Sequence, residues 1–388
     1  MTQDPQSLQL KAQAAMTAIA QGDGETAKTN FEQVLSAGHD QPEIWLGLAL
    51  AHQVLKDDDG MIAALDRTLA SDPQNIRALI MKGDAIWTRG EPQSAVTFYK
   101  RVLTLVPDVA ALPPPARDAI RIIHARVDQY KGDMQKHLTQ RFAENGLFNT
   151  DKIPGRFQHA LDLLYEIRER YEQQPRALYY PELPARQFYE PSDYAWTSSL
   201  LAAEAAIREE FLALKSNRNL FTPYIHATGN SPINPDHPLL DNEDWSAMHI
   251  VKNGVVDQEV ARRMPTVLKA LEGAPLERVE GRGPTILVSR LAPGSKIGAH
   301  TGYLNTRLTC HLPIVIPGQC GIRVGNETRH WRSGEMLMFN DSIDHEAWND
   351  SAEERYVLIF FVWRPELPEA ERNLVKHLLE GVDLYNPD

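Results

Sequence analysis

A 34-residue period runs through the first 108 residues and restricts the fold more than any other feature of the chain. Small residues recur at Ala15, Ala49 and Gly83. Phe31, Leu65 and Tyr99 keep the same phase, as do Leu35, Leu69 and Leu103. Turn chemistry falls between these positions, at Gly22-Asp23-Gly24, Asp57-Asp58-Asp59-Gly60 and Gly90-Glu91-Pro92, and units close at Asp72-Pro73 and Val106-Pro107. A repeat of this length is one helix pair, which cannot bury its apolar face alone and must stack on the next. An all-α array is therefore expected over residues 8–110.

The pattern resembles the tetratricopeptide repeat, with about three helix pairs; Met61 stands where the other units have Ala27 and Ala95. The resemblance implies a concave surface for a peptide or protein partner, against the plainer alternatives of packing within the chain or self-association. Ala111-Leu112-Pro113-Pro114-Pro115 stops the repeat helices, because proline lacks the amide donor and restricts the residue before it. Residues 111–178 read as a helical linker region. Ala116 to Asn145 and Phe157 to Glu172 are amphipathic, with Ile120, Ile123, Val127 and Tyr130 at helical spacing. His124, His137 and His159 on these helices read as surface or packing residues.

Composition narrows the class. Against 40 basic residues the chain has 52 acidic ones, a formal charge of −12, and no block of five Lys/Arg, which argues against nucleic acid. No apolar run reaches the roughly 18–20 residues of a membrane helix, and Met1 to Gln9 is polar, unlike a signal peptide. Cys310 and Cys320 are the only cysteines, too few for a disulfide framework and suited to a reducing compartment. A cytoplasmic protein is expected.

Residues 179–388 read as one further domain. An extended aromatic stretch, Tyr179 to Pro191, precedes an expected long helix over Ser192 to Ser216. Leu220 to Asn253 is loop-like, with Pro223, Pro232, Pro235 and Pro238, and carries His226, His237 and His249, for which spacing suggests no role. From Pro284 the periodicity changes to two. Strands are expected at Thr285–Leu291, Thr306–Ile316, Gly321–Val324, Glu335–Phe339 and Arg355–Trp363, with Gly and Pro turns between them. Such strands form a sandwich or jelly roll.

Two histidines, His300 and His345, flank this core 45 residues apart, as ligands from two strands brought together would. Imidazole with carboxylate and open positions is the usual set for an oxygen-activating iron. The carboxylate is expected two residues after the first histidine, where this chain has Gly302. On spacing alone that counts against a metal site.

The run Pro293-Gly294-Ser295, His300-Thr301-Gly302, Asn305-Thr306-Arg307-Leu308, His311-Leu312, Val315-Ile316-Pro317, Asn326-Glu327-Thr328, Asp341-Ser342, His345-Glu346-Ala347-Trp348, Arg355 and Trp363-Arg364-Pro365-Glu366-Leu367 is similar to the aspartyl/asparaginyl β-hydroxylase family. The likeness is dense over about 75 residues and looser from Tyr179 onward. It implies a double-stranded β-helix (jelly-roll, cupin-like) oxygenase domain with flanking helices. It also implies non-haem Fe(II), 2-oxoglutarate and dioxygen, and hydroxylation of an unactivated carbon in a peptide, protein or amino-acid-like substrate. In that family a glycine replaces the carboxylate, so Gly302 becomes part of the likeness. Carried over by position, His300 and His345 would bind iron, Ser289 and Arg355 would hold the distal carboxylate of 2-oxoglutarate, and His311 would contact the carboxylate next to the keto group. Thr309 stands where the family's animal enzymes carry an arginine; Arg307 could supply a charge nearby. Asp341, Asp344 and Glu346 are expected to support the loop or position His345, and His330, Trp348 and Trp363 to pack. The chemistry could also serve a lipid or small metabolite. A reading from another class makes the repeats an interaction scaffold and the β domain an inactive sandwich; retention of His300, His345 and Arg355 together weighs against it.

Overall fold

The computed structural model describes residues 5–146, 155–225 and 240–385. They fall into two compact units, Met1–Tyr165 and Glu166–Asp388.

The first unit is helical. Helices α1 (Pro5–Gln21), α2 (Gly24–Ser36), α3 (Pro42–Leu55), α4 (Asp58–Ser71), α5 (Ile76–Thr88) and α6 (Pro92–Leu105) follow the repeat. Asp23, Asp57 and Asn75 cap α2, α4 and α5, each side chain accepting from a backbone amide of the first turn. The periodic positions lie where close approach is needed: Ala15, Ala49, Phe31, Leu65 and Tyr99 are buried. A Cβ at Gly83 would sit 2.6 Å from the Tyr99 ring, so glycine is required for α5 and α6 to meet. The proline run that ends the repeat also starts α7 (Pro114–Glu144), where a missing amide donor costs nothing. Ile120, Ile123 and Val127 of α7 pack with Ala95, Tyr99 and Val102, extending the stack. Helix α8 (Gly155–Leu164) completes the unit, ending before the expected Glu172.

The second unit is built on antiparallel strands: β1 (Phe188–Tyr189), β2 (Thr222–Pro223), β3 (Trp245–Lys252), β4 (Val255–Val256), β5 (Ile286–Leu291), β6 (Ser295–His300), β7 (Arg307–Val315), β8 (Cys320–Val324), β9 (Glu327–Arg329), β10 (Leu337–Phe339), β11 (His345–Asn349) and β12 (Arg355–Trp363). The larger sheet runs β1-β10-β7-β12-β5-β3-β2, with β4 beside β3; the smaller runs β6-β11-β8-β9. From β5 to β12 the chain passes back and forth between two facing sheets, with β8 and β9 paired within the smaller one, a double-stranded β-helix.

Alternation along the strands sorts the side chains. On β12, Tyr356, Leu358 and Phe360 join a core with Ile207, Phe211 and Met264, from α10 (Glu204–Leu212) and the junction of α11 (Gln258–Arg263) with α12 (Pro265–Ala270). Val357 and Ile359 point the other way, into a core with Ile297, Ile322 and Ala347 of the smaller sheet. Arg355 has the parity of the second set, as do Arg307, Thr309 and His311 on β7 and Ser289 on β5. The expected helix over Ser192–Ser216 is broken into a 3-10 turn, α9 (Thr197–Ala202) and α10, with Ala203 between them. Helix α13 (Glu369–Tyr385) buries Val375 and Leu379 against Leu304, Trp363 and Leu367.

Candidate active site

Strands β6 and β11 pair so that His300 and His345 are register partners, with ring centroids 4.1 Å apart. His300 is the last residue of a strand, although the sequence suggests a position just before one. Each imidazole is fixed through Nδ1, which donates to the carbonyl of the residue two before it: Gly298 at 2.8 Å and Ile343 at 2.9 Å. This leaves Nε2 of both rings as the free lone pair, the arrangement seen where backbone carbonyls orient histidine ligands. Burial, and then the neighbouring His345, pushes His300 down to about 4. Burial does the same to His345. Both are neutral at pH 7.

A cavity of about 420 Å³ opens onto this pair and is lined by all six residues singled out in the sequence: Ser289, His300, Arg307, His311, His345 and Arg355. Arg355 is 1% exposed. Its Nη2 donates to Ser289 Oγ at 3.1 Å and its guanidinium lies 4.9 Å from the Trp331 ring centroid, while Nε is left without a partner. Among the described residues it has no carboxylate; Asp350 and Glu353, the alternatives near it in sequence, do not pair with it. Burial lowers it to about 10, so it is still charged at pH 7. Ser289 Oγ also accepts from Trp245 Nε1 at 3.3 Å, which leaves its own proton free to donate. His311, buried between Trp331 and Phe339, has an unpartnered Nδ1 and is held far below the usual histidine range by burial, then by Arg355 and His345. Arg307 lines the cavity too, but it is engaged by Glu277 at 2.7 Å and stacked 4.1 Å from the Phe361 centroid.

Gly302 has a steric role. A Cβ there would lie 2.4 Å from Cγ of buried Asp341, whose backbone carbonyl accepts from the Gly302 amide at 2.6 Å. Asp341 thus fills the space that a carboxylate at 302 would need. Its Oδ1 has no partner, and burial raises its carboxyl, opposed by Arg307. Asp344 and Glu346 instead pair with Arg323 on the smaller sheet, both at 2.8 Å. No group of three or more His, Cys, Asp or Glu able to hold a metal occurs among the described residues. The donor set is two imidazoles beside a buried cation, which fits an iron carrying an oxo acid.

His249, His330, Trp348 and Trp363 are not in the cavity wall. His226 and His237 lie outside the described residues. Trp245, Tyr224, Trp331 and Arg176 belong to the site without having been singled out. The Tyr224 and Trp245 rings stack at 4.2 Å, and Trp245 is 6.4 Å from the His300 ring. The short apolar piece Trp245-Ser246-Ala247-Met248-His249-Ile250, which forms most of β3, was the available signal for that residue; nothing in the local pattern marks Arg176.

Residues 202–365 match the family model described as aspartyl/asparaginyl beta-hydroxylase. This segment is similar to the aspartyl/asparaginyl β-hydroxylase family. Residues 62–110 match the tetratricopeptide repeat model. Relatives of the hydroxylase domain include the human aspartyl/asparaginyl beta-hydroxylase, 34% identical over 198 residues, or 50% of this chain and 24% of that protein. The Xenopus tropicalis aspartate beta-hydroxylase domain-containing protein 2 is 30% identical over 52% of this chain and 53% of its own length. The ornithine lipid ester-linked acyl 2-hydroxylase of Rhizobium tropici is 25% identical over 48% of this chain and 64% of its own. The match therefore spans 24% to 64% of the length of these relatives. No helix among the described residues is long and apolar enough to cross a membrane.

Proposed function

We propose that the chain is a non-haem Fe(II)- and 2-oxoglutarate-dependent dioxygenase that hydroxylates the β-carbon of an aspartyl or asparaginyl residue, or a related amino-acid-like substrate. The observation that carries this reading is Arg355: a buried guanidinium without a carboxylate among the described residues, in one cavity with two neutral, backbone-anchored imidazoles. An uncompensated buried cation is costly and calls for an anionic ligand. Its planar fork suits a carboxylate.

In this reading His300 and His345 hold iron through Nε2. Arg355 and the Ser289 hydroxyl grip the distal carboxylate of 2-oxoglutarate, and His311 meets the carboxylate beside its keto group. Trp245, Tyr224 and Phe339 wall the site from water. Iron, when bound, supplies the oxidising chemistry: with dioxygen it couples decarboxylation of 2-oxoglutarate to succinate and carbon dioxide with insertion of one oxygen atom into a C–H bond. The protein's part is to position the reactants and exclude solvent. The repeats offer a surface for a protein partner or for the substrate itself. Free, buried Cys310 and Cys320 agree with a cytoplasmic setting.

The same chemistry on an acyl chain is a second reading, favoured by the name of the Rhizobium tropici relative and by Thr309 in place of the arginine. A screen of peptides, amino acids and acyl lipids, read by mass gain of one oxygen with 2-oxoglutarate present, decides between them. Absence of oxygen gain in any class, with succinate formation also absent, contradicts the proposal.

A further inference from the structure

Residues 173–180 precede residues 202–365, the segment that matches the family model, yet they are stitched to the loops that carry both histidines. The Gln174 amide donates to Ser342 O at 2.6 Å, that of Arg176 to Gly302 O at 3.0 Å, and those of Ala177 and Leu178 to Tyr303 O at 2.9 and 3.1 Å. Asn305 clamps Tyr180 twice, accepting from its amide at 2.7 Å and donating to its carbonyl at 2.9 Å. The buried Gln173 side chain accepts from Arg364 at 3.0 Å and donates to Leu183 O at 2.7 Å. The backbone of Arg176 is therefore fixed beside the histidine loop.

Its side chain is exposed, lines the same cavity and lies 5.7 Å from the Tyr303 ring centroid. Other arginines around the site are neutralised: Arg307 by Glu277, Arg323 by Asp344 and Glu346, Arg290 by Glu354, Arg364 by Glu366. Arg176 has no such carboxylate among the described residues. Among the described residues the cavity thus has two guanidinium groups without a carboxylate, Arg355 at the buried end and Arg176 at the exposed end, with the histidine pair in the same wall. One oxo acid can satisfy the first. The second is left for another anion.

We propose that Arg176 is a specificity-determining residue that receives an anionic group of the substrate, a carboxylate or a phosphate, at the mouth of the cavity. The assignment rests on the hydroxylase reading for the word substrate, but its binding consequence can be tested separately. Three short peptides, identical except for a central Asp, Asn or phosphoserine, are titrated calorimetrically under argon into the full chain and into Arg176→Gln and Arg176→Lys. The parent is expected to bind one of the two anionic peptides at least about tenfold more tightly than the Asn peptide, as a partly exposed charge-assisted pair permits. Arg176→Gln is expected to bring that ratio to within about twofold of unity, with Arg176→Lys in between. Which anionic peptide is preferred separates carboxylate from phosphate. A parent that binds none of the three, or all alike, overturns the assignment, as does a preference that survives in Arg176→Gln. 2-Oxoglutarate is titrated on the same samples. A parent that fails to bind it sinks the hydroxylase reading, while the peptide ratios still decide Arg176.

Discussion

Arg355 on β12 donates to the hydroxyl of Ser289 on β5 across 3.1 Å, and no carboxylate among the described residues completes the pair. Among the described residues Arg355 is therefore a buried cation without a counter-ion. Arg355→Met is expected to remove the oxo-acid grip and, because an apolar side chain of similar length suits that position, to raise the melting temperature without ligand. 2-Oxoglutarate should stabilise the parent against heat and leave Arg355→Met unmoved. Ser289→Ala should weaken oxo-acid binding by several-fold, the loss of about 1 kcal/mol expected of one hydrogen bond. Calorimetric titration and thermal melts check both.

Gly302 and Asp341 compete for one volume. Gly302→Asp is expected not to create a third iron ligand, because Asp341 lies 2.4 Å from where its Cβ must go. The expected result is a loss of about 1–3 kcal/mol from overpacking, with no gain in metal affinity. Asp341→Gly in the same chain should restore stability. Melts and a metal titration on the single and double variants measure this.

Acid should loosen the β12 edge through Glu354. Although burial alone would raise its carboxyl, hydrogen bonds from Tyr356, Arg290 and Arg218 together hold it down at about 2. A carboxyl lowered on folding stabilises above its unfolded value, near 4.3, and loses that contribution as pH falls towards the folded value, here between about 4.5 and 2. Protection factors of the β5 and β12 amides, with the intrinsic pH dependence of exchange divided out, should fall in that window. Glu354→Gln should be less protected at pH 7 and should lose this part of the pH dependence.

In the helical unit, Gly83→Leu places a side chain against the Tyr99 ring, which a Cβ alone would meet at 2.6 Å. Exchange of α5 and α6 amides is expected to accelerate, corresponding to about 1–3 kcal/mol.

The repeat was legible because its constraint is local and periodic: Ala15, Ala49 and Gly83 mark helix contacts at successive intervals of 34 residues. The same holds for β12, whose bounds Arg355–Trp363 are those expected, since both faces of that strand are buried and its apolar run is continuous. Strand β6 was not legible. It belongs to the smaller sheet, buries little besides Ile297, and carries Lys296, Gly298 and Ala299 where a β pattern would help. Arg176 was hidden for another reason: its neighbours, Gly302 and Tyr303, lie far along the chain, and a segment with neither helical nor strand period announces no partner. Asp341 was visible as a residue but not as the occupant of the space beside Gly302, because only packing shows that.

The central claim is that His300 and His345 together hold an iron that works on 2-oxoglutarate. The most direct measurement is oxygen-dependent succinate release by the parent, His300→Ala and His345→Ala, with Fe(II) bound per chain determined anaerobically on the same samples. The account predicts one iron per parent chain, succinate formed only with Fe(II), 2-oxoglutarate and oxygen together, and loss of both metal and succinate in each variant. Variants that bind iron and release succinate like the parent contradict it.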